Sequence, residues 1–175
     1  CLDGLSIKKI LKKLKIKNYF TYGFDEKANY QIFNPKYAID YTKFDIKIKN
    51  IGSKNLYVKN IVLKLIGKYN VLNATAAIAL CLNLGIKVKV IKKALKNFSG
   101  VQRRLTKVFN KNKVEFYDDY AHHPTEIKSV LGAIRNVAAK RKIIAIFQPH
   151  RYSRLRTLKS EFVSNLCFKS CASGF

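Results

Sequence analysis

With 175 residues and 48% hydrophobic content, the chain has apolar mass for one domain or two small ones. No apolar run approaches the roughly 20 residues a membrane-spanning helix needs, and Cys1-Leu-Asp-Gly-Leu-Ser lacks the basic-then-apolar order of a signal peptide. The net charge of +25 raises nucleic acid or an acidic membrane as partners. Only seven of the 35 basic residues are Arg, however, and the lysines are scattered among Ile, Asn, Tyr and Phe. All these residues have AT-rich codons, so a biased genome accounts for the charge without a nucleic-acid partner.

The first seventeen residues read as an amphipathic helix, with Lys8, Lys9, Lys12, Lys13, Lys15 and Lys17 on the wet face and Leu5, Ile10, Leu11 and Leu14 on the other. Asn18–Phe24 is a short strand-like piece broken at Gly23. From Tyr30 to Leu65, aromatic and β-branched residues alternate with Lys and Asn, which predicts strands and a hairpin turning near Asn50–Asn55. Asn70–Leu84, rich in Ala, predicts a helix closed by Gly85, and Val90–Phe98 a second short one.

Ser99-Gly100 is a candidate joint between domains. Beyond it the pattern is strand–helix–strand–helix: Val114–Tyr117, then Pro124–Ala139 with Pro at its start, then the continuous apolar run Ile143–Phe147, then Thr157–Leu166. This βαβ order predicts a parallel sheet with a right-handed crossover.

Cys1, Cys81, Cys167 and Cys171 lack paired metal spacing. Reduced thiols in a cytoplasmic protein fit them. No residue is assigned to a metal. A chain that starts at Cys1 and contains no Met reads as a piece of a longer polypeptide.

Two segments concentrate chemistry: Tyr117-Asp-Asp-Tyr-Ala-His-His-Pro124 and Phe147-Gln-Pro-His-Arg-Tyr-Ser-Arg154. Each follows an expected strand and precedes an expected helix, and open α/β sheets bind ligands outside the carboxyl ends of their strands. Asp118 and Asp119 can hold a ribose hydroxyl or a metal-bound water, or simply cap a helix. His122 or His123 can move protons near neutral pH. Arg151 and Arg154, beside His150, offer planar forks that match carboxylate or phosphate, and their spacing of three suits one helix face. Asn70 and Asn73 share a face; their amides can read an adenine edge, or Asn70 can cap the helix. Arg103 and Arg104 are placed to neutralise a polyphosphate or to decorate the surface.

Four segments in order, Asn70-Val-Leu-Asn-Ala-Thr-Ala-Ala77, Phe98-Ser-Gly-Val-Gln-Arg-Arg104, Tyr117–Glu126 and Phe147–Arg154, resemble the Mur ligases of peptidoglycan synthesis, with the last favouring the alanine-adding branch. The resemblance implies an α/β chain holding the end of a central ATPase domain (1–100) and the start of a Rossmann-like, parallel-sheet C-terminal domain (101–175). It implies ATP and Mg²⁺ as cofactors, UDP-N-acetylmuramate and L-alanine as substrates, and an acyl phosphate that the amine attacks. Asn70 and Asn73 would lie at the adenine, with Arg104 and Asp119 at the nucleotide's phosphates and ribose. Tyr120, His122, His150, Arg151 and Arg154 would line the amino-acid side; His122 and His150 are the expected catalytic pair, and the arginines would hold the alanine carboxylate.

The chain departs from the family in having Tyr69 where His usually precedes the first Asn, and in lacking the Gly-x-x-x-x-Gly-Lys-Ser/Thr phosphate loop. Cys167–Phe175 reads as unrelated sequence. The chain alone is therefore expected to be inactive. The alternatives are a basic nucleic-acid-binding module and a non-functional gene remnant.

Overall fold

The computed structural model describes residues 1–13, 19–51, 54–138 and 140–170. Leu14 to Asn18, the Gly52-Ser53 centre of the expected hairpin turn, Ala139 and the Cys171–Phe175 tail lie outside the described residues. The chain forms two compact units, Cys1–Phe98 and Ser99–Phe175.

The first unit is built on a four-stranded sheet in the order β1 (Tyr22–Gly23), β2 (Tyr30–Tyr37), β3 (Thr42–Ile51), β4 (Lys54–Leu63). β1 is parallel to β2; β2, β3 and β4 form an antiparallel meander. The alternation seen in the sequence becomes one buried face, carrying Tyr30, Ile32, Phe44, Ile46, Ile48, Val58, Ile61 and Leu63. Helices α2 (Lys68–Asn83) and α3 (Val88–Asn97) cover that face with Val71, Ala74, Ile78, Ala79 and Ile91. Each large aliphatic or aromatic side chain so buried contributes about 1.5–3 kcal/mol.

Residue Asp45, on the opposite face of β3, holds an irregularity in each neighbouring strand. Its Oδ2 accepts from Asn34 Nδ2 (3.2 Å) and its Oδ1 from the Asn60 N–H (2.7 Å). Asn34 and Asn60 both have positive φ, 49° and 58°, in the left-handed region that Asn tolerates better than most residues.

Helix α1 (Leu5–Lys13) has its apolar side uncovered among the described residues: Leu5 is 76% and Ile10 48% exposed. A helix buries a stripe only where another element packs on it, and none of the described elements does so here. What anchors this end of the chain is polar. Asp3 Oδ1 accepts from the N–H groups of Phe24 (2.8 Å) and Asp25 (3.0 Å), and Lys8 pairs with Asp25. The bend over Asp3 needs Gly23, whose φ is +149° and where a Cβ would lie 2.3 Å from Asp3 Oδ1.

The second unit begins with a hairpin of β5 (Thr106–Lys111) and β6 (Val114–Asp118), which are antiparallel. Asn112 and Lys113, both at positive φ (51° and 65°), make the tight turn. Phe109 and Phe116 stack across the pair at 4.0 Å. Then follow α4 (Pro124–Ala138), α5 (Tyr152–Thr157) and α6 (Lys159–Ser170). The small core joins Ile127 and Leu131 of α4 to Phe162 of α6, with Ile143, Phe147 and Leu155 packed against them.

The α/β class holds, but two expected elements differ. Ile143–Phe147 is not a strand, and the second unit contains no parallel pair among the described residues. A strand needs a hydrogen-bonded neighbour on its edge; β6 is paired with β5, and no described strand adjoins the 143–147 run. Its Ile143 and Phe147 turn inward while Ile144 and Ile146 are 76% and 98% exposed. The helix expected over Thr157–Leu166 is α6, running Lys159–Ser170, and an unexpected short α5 precedes it, capped at Leu158.

Candidate functional site in the second unit

The turn leaving β6 is fastened by Asp119. Its Oδ2 accepts from the Leu105 N–H and its Oδ1 from the Ala121 N–H, both at 2.7 Å. The Tyr120 N–H donates to the Arg103 carbonyl at 2.8 Å. The Arg103–Leu105 segment is thus laced to the start of the His-His-Pro turn.

Residue Glu126 fastens the other end of that turn. Pro124 opens α4, and Glu126 in the first helical turn reaches back to the N–H groups of His122 (3.0 Å) and His123 (3.2 Å). This is a capping-box arrangement. The same carboxylate lies 3.6 Å from His122 Nδ1 and 4.0 Å from Arg104 Nη1. Desolvation raises the pKa of Glu126, but the two N–H donors and the nearby His122 and Arg104 outweigh it and hold the carboxyl below its ordinary range. His122 Nδ1 also lies 3.0 Å from the Tyr120 carbonyl, and its ring meets that of Tyr120 edge-on at 4.9 Å.

The second segment converges on the first. Arg151 has a φ of +67° just before α5, and Arg154 in α5 donates from Nη1 to the His122 carbonyl at 3.3 Å. Between the segments lies a cavity of about 450 Å³. Its polar lining is Arg103, Asp119, Tyr120, His122, Gln148 and His150; its apolar lining includes Ile127, Leu131 and Phe147. That combination of an apolar wall and a few convergent polar groups suits a small polar ligand.

Of the residues singled out from the sequence, Asp119, Tyr120, His122 and His150 line this cavity, and Arg154 is bonded to its rim. Arg151 and Arg104 are not among its lining residues. Asn70 and Asn73 belong to the first unit, on α2, where Asn70 Nδ2 donates to the Ile66 carbonyl at 2.8 Å and Asn73 is exposed. Both oxygens of Asp119 are engaged by backbone donors, so its evident work is to shape the turn. Glu126 and Arg103 carry more of the geometry than the sequence reading gave them. Glu126 three residues after His123, the residue before α4, is the Glu half of a capping box whose first position lacks the usual Ser or Thr.

Among the described residues, no cluster of three or more His, Cys, Asp or Glu side chains is placed to hold a metal ion. Among the described residues no helix is long and apolar enough to cross a membrane.

Comparison with known proteins places this geometry in a family. The Mur ligase middle domain matches residues 2–81, and the glutamate ligase domain of the Mur ligases matches residues 103–171. The chain belongs to the Mur ligase family and carries parts of both domains. It is 50% identical over 169 residues to a UDP-N-acetylmuramate–L-alanine ligase of Pelagibacter ubique, covering 97% of this chain and 36% of that one. It is 42% identical to the same enzyme of Rickettsia felis, over 96% of this chain and 36% of that one. The solved UDP-N-acetylmuramate-alanine ligase of Thermotoga maritima superposes with a TM-score of 0.66 at 34% identity, over 80% of this chain and 32% of that one. A murein peptide ligase from Psychrobacter arcticus gives 0.55 at 28% identity, over 84% of this chain and 30% of that one. The chain spans about a third of the length of the curated relatives it matches.

Proposed function

We propose that this chain is part of an ATP-dependent ligase that joins L-alanine to UDP-N-acetylmuramate. The observation that carries the reading is the convergence of the Tyr117–Pro124 and Phe147–Arg154 segments on one cavity, fixed by the Arg154–His122 hydrogen bond. The identity to relatives of that activity over nearly the whole chain supplies the substrates.

In this reading ATP activates the muramate carboxylate as an acyl phosphate, and the amine of alanine displaces phosphate to form the amide. Both steps require developing negative charge to be neutralised and the amine to be held close to its target. Arg151 and Arg154 bind the alanine carboxylate, so that the amine faces the reacting carbon. His122 and His150 border the space in which the amine loses its proton, and an imidazole is suited to accept it near neutral pH. The apolar wall of Ile127, Leu131 and Phe147 favours a small side chain and excludes water. Asn70 and Asn73 of the first unit read the adenine, Asn70 through the carboxamide oxygen left by its bond to Ile66. Mg²⁺ would supply charge neutralisation at the phosphates, and no residue of this chain is assigned to it.

The reading is tested by exchange. Replacing the matching third of the Pelagibacter ligase with this chain should give an enzyme whose ADP release requires both UDP-N-acetylmuramate and L-alanine. A soluble, folded chimera that releases ADP without regard to alanine would refute it. The chain by itself, lacking the phosphate loop, should show no turnover.

A further inference from the structure

The cavity of the second unit presents a guanidinium that the sequence left between polyphosphate neutralisation and surface decoration. It belongs to Arg103. Arg104 lies 4.0 Å from Glu126 and is not part of the lining, whereas Arg103 lines the cavity with Tyr120, His122, Gln148 and His150.

The backbone explains which arginine is presented. Arg103 and Leu105 both have positive φ, 58° and 51°, a region that residues other than Gly, Asn and Asp seldom occupy. Two such residues within three persist because their surroundings impose them: Asp119 takes the Leu105 N–H, and the Tyr120 N–H takes the Arg103 carbonyl. Backbone strain of this kind gathers where a side chain must be aimed. Here its result is that successive arginines diverge.

The contacts of the Arg103 side chain leave its fork able to take an oxyanion. Its guanidinium carbon sits 5.1 Å from the centre of the Tyr120 ring, a cation–π contact that uses none of its N–H donors. Its Nε is 3.6 Å from Asp118 Oδ2, beyond hydrogen-bond range, and both side chains are about half exposed or more. A pair of this kind is weak and gives way to a ligand that engages the fork in two parallel bonds.

We infer that Arg103 is an oxyanion-binding residue of this cavity, receiving a carboxylate or phosphoryl oxygen on its planar fork while its contacts with Tyr120 and Asp118 leave the N–H donors open to a ligand. The inference deepens the ligase reading and rests on it for the identity of the anion, but the site is testable without turnover.

L-Alanine and inorganic phosphate are titrated separately into the 175-residue chain, with the arginine Nε–H and Tyr120 N–H resonances followed by NMR. At least one anion should give saturable shifts, and Arg103→Met should weaken that binding roughly tenfold or more, with Arg103→Lys recovering part of it. Response in the alanine arm marks a carboxylate subsite, and response in the phosphate arm a phosphoryl one. Asp118→Asn, by removing the competing carboxylate, should tighten binding, and the gain should vanish in the Asp118→Asn/Arg103→Met double variant. An arginine that only props the turn would not show this coupling. Absence of binding by either anion, undiminished binding by folded Arg103→Met, or an Asp118→Asn gain that survives without Arg103 would each overturn the inference. A chimera with no alanine-dependent ADP release, beside a chain that binds the anion through Arg103, would sink the ligase reading alone.

Discussion

The Arg154 guanidinium donates to the carbonyl of His122 across 3.3 Å, tying α5 to the turn after β6. The two segments are 32 residues apart at this contact, so the bond is a tertiary staple as well as a means of aiming the side chain. Arg154→Met keeps most of the stem and removes the donors. It should lower the stability of the second unit by about 1 kcal/mol, read by urea denaturation, and in the chimera it should raise the KM for alanine. A variant with unchanged stability and kinetics would show the contact to be incidental.

The Glu126 carboxylate should make the cap pH-dependent. Its pKa is lowered in the folded protein, so its contribution is fully present above the unfolded-state value and is lost as pH falls through the folded one. Glu126→Gln should cost about 0.5–2 kcal/mol at neutral pH, as loss of a helix cap does. The gap to the parent should close in acid, where the parent's carboxyl is protonated as well. Denaturation curves collected from neutral pH into acid check this; a gap that widens towards low pH would contradict it.

The Asp45 side chain braces two of the register irregularities of the meander, at Asn34 and Asn60. Asp45→Ala hands the Asn34 amide and the Asn60 N–H to water and should destabilise the first unit by about 0.5–1.5 kcal/mol. Amide hydrogen exchange should show the loss centred on β2 and β4. Uniform protection in the variant would mean the strands hold the bulges unaided.

The Gly23 position should resist substitution. Gly23→Ala combines an unfavourable φ with a Cβ 2.3 Å from Asp3 Oδ1 and should cost more than about 1 kcal/mol. Asp3→Ala in the same chain removes the clash but also the acceptor for Phe24 and Asp25, so it should not restore stability. Recovery in the double variant would show that the backbone angle carries no strain.

The sequence was most legible where one face of a strand is buried. Phe44, Ile46 and Ile48 alternate with Lys43, Asp45 and Lys47 because the helices cover only one side. β5 escaped notice for the opposite reason: from Lys107 to Lys111 every residue is exposed, so burial imprints no period. The 143–147 run shows the limit of composition, since apolar residues record a preference for burial and not the presence of a neighbour. The site residues Tyr120, His122 and His150 were visible as chemistry concentrated in two segments. The separate directions of Arg103 and Arg104 were not, because they depend on two left-handed backbone angles and the acceptor at Asp119 that sustains them.

The amino-acid subsite is tested most directly by the KM for L-alanine of the chimera carrying Arg151→Ala. The account predicts a rise of roughly tenfold or more, with the KM values for ATP and UDP-N-acetylmuramate little changed. An unaltered KM for alanine would contradict it.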